Sequence, residues 1–121
     1  MKVFKTKLFN GWAEEVGLSD GALLLAIKEM EQGQFEANLG GYLYKKRIAI
    51  GNKGKSGGSR TIIAFREGDK AFFVYGFTKN KKGNISQNEL ITYKELAKLF
   101  LNLDEKKIKE AIANNKIIEV I

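Results

Sequence analysis

The 121-residue chain has no cysteine, no histidine and no proline. Without cysteine there is no disulfide, no zinc–thiolate centre and no thiol nucleophile, and the cytoplasm is the expected compartment. Without histidine, the side chain most used to move protons near neutral pH is missing. Acid–base chemistry then falls to Lys, Arg, Tyr, Asp or Glu. Without proline there is no stiff linker to divide the chain. Long apolar runs are missing too: nothing approaches the roughly 18 residues of a membrane-crossing helix. The opening MKVFKTKLFNGW carries Lys2, Lys5 and Lys7 with no apolar block behind them. Neither a signal peptide nor a membrane partner is expected.

What is present suits one globular domain spanning 1–121. The chain is 44% hydrophobic, enough to bury a core, and 29% charged, which argues against disorder. The net charge of +7 is unevenly spread. Between Ala37 and Asn88 eleven basic residues face only Glu67 and Asp69, a local +9 that leaves the flanks at −2. A cationic middle between near-neutral ends points to a polyanionic partner. The acids are not clustered as a metal site requires, so neither a metal nor another cofactor is expected.

Spacing gives the elements. Lys2 to Lys5 reads as a strand. Leu8, Phe9, Trp12 and Val16 recur at helical spacing up to Gly17. Ser19 caps a second helix whose stripe is Leu23, Leu24, Ile27 and Met30, closed by Gly33. After Gly40-Gly41, Tyr42 to Ile50 alternates, with Lys45 and Arg47 on one face and Lys46 on the other. The loop GNKGKSGGS follows, then strands RTIIAF and AFFVYGFTK joined by a turn at REGDK. Ser86 and Glu89 form a capping box for a helix to about Leu103. Residues 104–121 form a small extension: a helix capped by Asp104, then a possible strand from Lys116. The fold class is α+β, in the order β-α-α-β-β-β-α.

Residues 49–56, AIGNKGKS, fit a permissive phosphate-loop pattern, but GGSRTIIAF behind them is strand-like where that motif needs a helix. The loop reads better as a basic clamp, with glycines that let backbone amides approach phosphates and with Lys53 and Lys55 beside them. Arg60 begins the next strand on the face of Ile62, Ala64 and Arg66. Phe72, Phe73, Tyr75 and Phe77 could stack bases but read as core. So do Trp12 and Tyr93, the latter on the stripe of Leu90, Ala97 and Phe100. RNA brings its own nucleophile, the 2′-hydroxyl, so cations that organise a phosphate can do much of the work of cutting it.

Together LYKKRIAI, KGKSGGSRTIIAF, FFVYGFTKN and the capped helix resemble the RelE/HigB family of bacterial toxins, and most nearly its HigB-like branch. The resemblance runs from about residue 2 to residue 103, and LDEKKIKEAIANNKIIEV also looks like one subgroup. It implies a RelE-like, antiparallel-rich sheet with two N-terminal helices on one face and a C-terminal helix. It implies metal-independent cleavage of mRNA in the ribosomal decoding site. It also implies a cognate antitoxin, usually a helix-turn-helix DNA-binding protein in this branch. Carried over by position, Lys55, Arg60 and Lys79 are the expected catalytic cations. Lys45, Arg47, Lys53, Asn80 and Lys81 are the expected RNA contacts. With no histidine, the general acid stays unassigned. Relatives of this fold that poison gyrase cut no RNA, so a non-enzymatic toxin aimed at a protein, or a plain RNA-binding module, stands as the alternative.

Overall fold

The computed structural model describes residues 1–51 and 58–121. Lys53 and Lys55 therefore lie outside the described residues. Six strands and four helices follow in the order β1 (Lys2–Thr6), α1 (Lys7–Val16), α2 (Asp20–Glu31), β2 (Ala37–Gly40), β3 (Leu43–Ile48), β4 (Ser59–Arg66), β5 (Lys70–Thr78), α3 (Gln87–Leu101), α4 (Glu105–Ala113) and β6 (Ile117–Val120). The strands form one sheet in the order β2-β3-β4-β5-β1-β6. Among the described residues only β1 and β5 pair in parallel; the other neighbours are antiparallel.

The α+β class and the two N-terminal helices on one face agree with the sequence reading. Where the described residues resume, Ser59 already begins β4, a strand on the side where a phosphate loop needs a helix. One element goes beyond the expected order: a four-residue β2 pairs with β3 at one sheet edge. The strand expected from Lys116 is β6, which pairs with β1 at the other edge. β2 joins β3 through a turn at Gly41 and Tyr42, both at positive φ, the twist that two-residue hairpins favour. The second position is uncommon for a bulky residue.

Local signals explain the helices. The Thr6 hydroxyl accepts the Phe9 N–H, Ser19 accepts from Ala22, and Asp104 accepts from Lys107. Ser86 and Glu89 complete the capping box. Gly17 ends α1 in the left-handed region.

Alternation along the strands divides the core in two. Phe9, Leu23, Ile27, Met30, Ile63, Phe65 and Phe73 pack beneath α1 and α2. Phe4, Leu43, Ile62, Ala64, Phe72, Ala97, Leu101 and Ile108 pack beneath α3 and α4. Phe72, Phe73 and Phe77 are buried, as read from sequence, but Tyr75 is half-exposed.

One close approach fixes α1 on the sheet. β1 pairs with β5 only as far as Lys5 opposite Phe73, and beyond that point the Trp12 ring lies on Gly76. A Cβ at residue 76 would come within 2.2 Å of that ring. Gly76→Ala is therefore expected to cost about 1–3 kcal/mol through overpacking. Trp12→Leu should relieve much of that cost, so a double-mutant cycle from chemical denaturation should be clearly non-additive.

Candidate functional site

The cationic middle of the chain comes together on the sheet face that also carries α3. Lys45 and Arg47 share that face of β3, and the β3–β4 register sets Arg47 directly opposite Arg60. Two like charges facing each other across a ladder repel. A carboxylate from the head of β2 lies between them. Oε1 of Glu36 accepts Nε of Arg47 at 2.6 Å and Nε of Arg60 at 3.0 Å. Oε2 lies 3.3 Å from Nζ of Lys45, an ion pair outside hydrogen-bond geometry. Three cations thus converge on one acid, and the group keeps a net charge of about +2 at neutral pH.

Burial is uneven within this group. The Arg60 side chain is only 4% exposed and that of Glu36 16%, whereas Arg47 is 47% exposed. The sequence reading left Arg60 to grip a phosphate directly at the start of its strand. Instead it lies beneath the surface with its Nε already taken. Nη1 of Arg60 and Oε2 of Glu36 are buried with no hydrogen-bond partner among the described residues. Burial pushes the Glu36 carboxyl up, but the hydrogen bond from Arg47 and the charges of Lys45 and Arg60 outweigh it and hold its pKa below the ordinary 4.5.

Beside this group lies a second cluster. Nζ of Lys82 donates to Glu89 at 2.6 Å and to the Tyr75 hydroxyl at 3.3 Å. The Tyr75 ring stacks on Tyr93 with centroids 5.1 Å apart. Tyr93 thus packs on α3 as its stripe indicated. Burial, with Tyr75 and Glu89 nearby, raises its pKa, so the phenol stays protonated at neutral pH. Lys45 also donates to Asn84 at 3.4 Å, two residues beyond Lys82.

Lys79, Asn80 and Lys81 lie elsewhere. They are exposed where β5 ends and line a groove of about 700 Å³ with Trp12, Gly76 and Gly58. The structure therefore brings Lys45, Arg47 and Arg60 together and sets Lys79, Asn80 and Lys81 at a neighbouring groove. Lys46 lies on the opposite face, as expected, buried in an ion pair with Glu29 at 2.8 Å. Among the described residues no three acids gather as metal ligands.

Glu36 was absent from the sequence reading. It lies one residue before the cationic stretch that begins at Ala37. A signal did exist: a tight turn at Gly41-Tyr42 folds Glu36 back beside Arg47. Lys82 and Asn84 carry no local signal of their own, and the strand pattern reads Tyr75 as core.

A family model described as "RelE toxin of RelE / RelB toxin-antitoxin system" matches residues 1–120. Searches of the curated proteins and of the solved structures found no match.

Two outcomes follow from the ion pairs. Arg60→Ala removes a buried guanidinium and its charged hydrogen bond to Glu36, which keeps Arg47 and Lys45, and should cost about 1–3 kcal/mol in a denaturation experiment, more than an exposed change such as Lys81→Ala. Glu36, Asp69 and Glu89 all have folded-state pKa values below their ordinary ones. Each contributes stability that is present above its unfolded pKa and lost as pH falls through the folded one. Melting temperature should hold steady down to about pH 5 and fall below about pH 4.5, and Glu36→Gln should flatten part of that fall.

Proposed function

The chain belongs to the RelE toxin family, a toxin of a toxin–antitoxin system with a cognate antitoxin as partner, and from that premise we propose that it is a metal-independent endoribonuclease that cuts mRNA in the ribosomal decoding site. The observation that carries this reading is the convergence of Lys45, Arg47 and Arg60 on a single carboxylate. A group left near +2 on a rigid sheet suits a polyanion. Guanidinium groups suit a phosphate in particular, because their planar donors match two of its oxygens at once.

In this reading the 2′-hydroxyl attacks the adjacent phosphorus in line and gives up its proton, and the 5′-oxygen leaves and takes one up. The products are a 2′,3′-cyclic phosphate and a 5′-hydroxyl. The chain's part is to hold the phosphate and stabilise its developing charge. Arg60 takes the scissile phosphate, and Lys55 and Lys79 add catalytic charge. Lys45, Arg47, Lys53, Asn80 and Lys81 guide the strand on either side. With no histidine, alignment of the nucleophile comes from the ribosome, which supports dependence on translation. The antitoxin is a helix-turn-helix DNA-binding protein, as in the HigB-like branch, and the site of action is the cytoplasm.

The test is primer extension on translated mRNA after induction. Cuts within codons, with 5′-hydroxyl ends and unchanged by chelators in a ribosome-containing extract, are expected. Lys79→Ala, an exposed change, should slow cutting on the order of tenfold or more without lowering the melting temperature. Intact mRNA with DNA damage would reject the reading in favour of a gyrase-directed toxin.

A further inference from the structure

We propose that the Glu36 carboxylate is the resident occupant of a phosphate site, and that an RNA phosphodiester binds to Lys45, Arg47 and Arg60 by displacing it. This rests on the reading of the chain as an RNA-cleaving toxin and says how its phosphate site is kept when no RNA is present.

The first observation is the mismatch in the pairing. A guanidinium and a carboxylate satisfy each other best as two parallel hydrogen bonds. Here Glu36 meets Arg60 through one atom pair, Nε to Oε1, and that same oxygen is shared with Arg47. The remaining groups, Nη1 of Arg60 and Oε2 of Glu36, are buried without hydrogen-bond partners among the described residues. A buried, unsatisfied donor on a charged group costs free energy and calls for an explanation. A tetrahedral phosphate offers more acceptor oxygens than a carboxylate and can engage Nε and Nη donors together.

The second observation is accessibility. Arg60 is 3% exposed, and its Nε is held by Glu36, so a ligand can take that donor only if the carboxylate gives it up. Glu36 stands at the head of β2, an edge strand paired only with β3. Among the described residues its own backbone is tied by one hydrogen bond outside the strands, from its N–H to the Lys45 carbonyl. A side chain at such an edge can swing outward without breaking the sheet.

The third is charge. Two arginines opposed across a ladder are a costly arrangement unless an anion lies between them. One carboxylate offsets a single charge of the three, so a second, stronger anion is electrostatically welcome in its place.

The experiment is calorimetric titration of the full chain and of Glu36→Gln at low salt. The probes are inorganic phosphate and a 2′-deoxy dinucleotide, which carries a phosphodiester but no nucleophile and so cannot be cut. Removing the competing charge should tighten dinucleotide binding by about tenfold or more. Equal or weaker binding by a variant shown by melting to be folded overturns the proposal. A gain confined to inorganic phosphate overturns its assignment to an RNA phosphodiester. If Glu36→Gln does not fold, arginine side-chain nitrogen NMR on the unaltered protein decides. The Nε–Hε signals of Arg47 and Arg60 should shift together on dinucleotide saturation, and unchanged signals would overturn displacement. Tighter dinucleotide binding by a protein that leaves mRNA intact would reject the cleavage reading while leaving the displacement standing.

Discussion

Arg47 and Arg60 face each other across the β3–β4 ladder, and Glu36 sets one oxygen between them. Without that oxygen the two guanidinium groups would repel at close range on a face where Arg60 has almost no water to screen it. The same side chain tethers the head of β2 to β3 and β4, so the edge of the sheet and the cation group are stabilised by one contact. The turn at Gly41 and Tyr42 makes this possible by folding the chain back within a few residues.

The two faces of the sheet treat buried charge differently. Beneath the N-terminal helices, Lys46 meets Glu29 and Lys5 meets Asp20 at 2.8 and 2.7 Å. Each of those lysines meets a carboxylate, which is how a buried cation is made tolerable in a structural role. On the other face three cations share one acid, with a donor and an acceptor left over. A domain selected only for stability would not keep that imbalance. A site that must accept a polyanion has reason to, since residual positive charge in a poorly screened place is what draws a phosphate.

How much was legible in the sequence follows from the range of each signal. The caps at Ser19, Ser86 and Asp104 act over three residues and were read correctly. The alternation that set Lys45 and Arg47 opposite Lys46 also held, because side-chain period in a strand is a local property. β2 was missed as an element because four residues with a half-exposed pattern carry little periodicity. Glu36 was missed because its importance depends on a hairpin register. Tyr75 was read as core from an apolar strand, but it lies near the end of β5, half-exposed against Tyr93 and Lys82.

The sequence by itself determined the helices and every strand but β2, the faces of β3 and β4, the excess of positive charge and the family resemblance, because each is written in residue types and short spacings. The tertiary structure decided which cations meet. It joined Lys45, Arg47 and Arg60 on Glu36, set Lys79, Asn80 and Lys81 at a neighbouring groove that Tyr75 and Lys82 also line, and buried the arginine that the sequence left free to meet a phosphate. Those outcomes depend on strand register and on helix packing across the sheet. A charge count along the chain contains neither, because Coulomb interactions follow distance in space rather than separation in sequence.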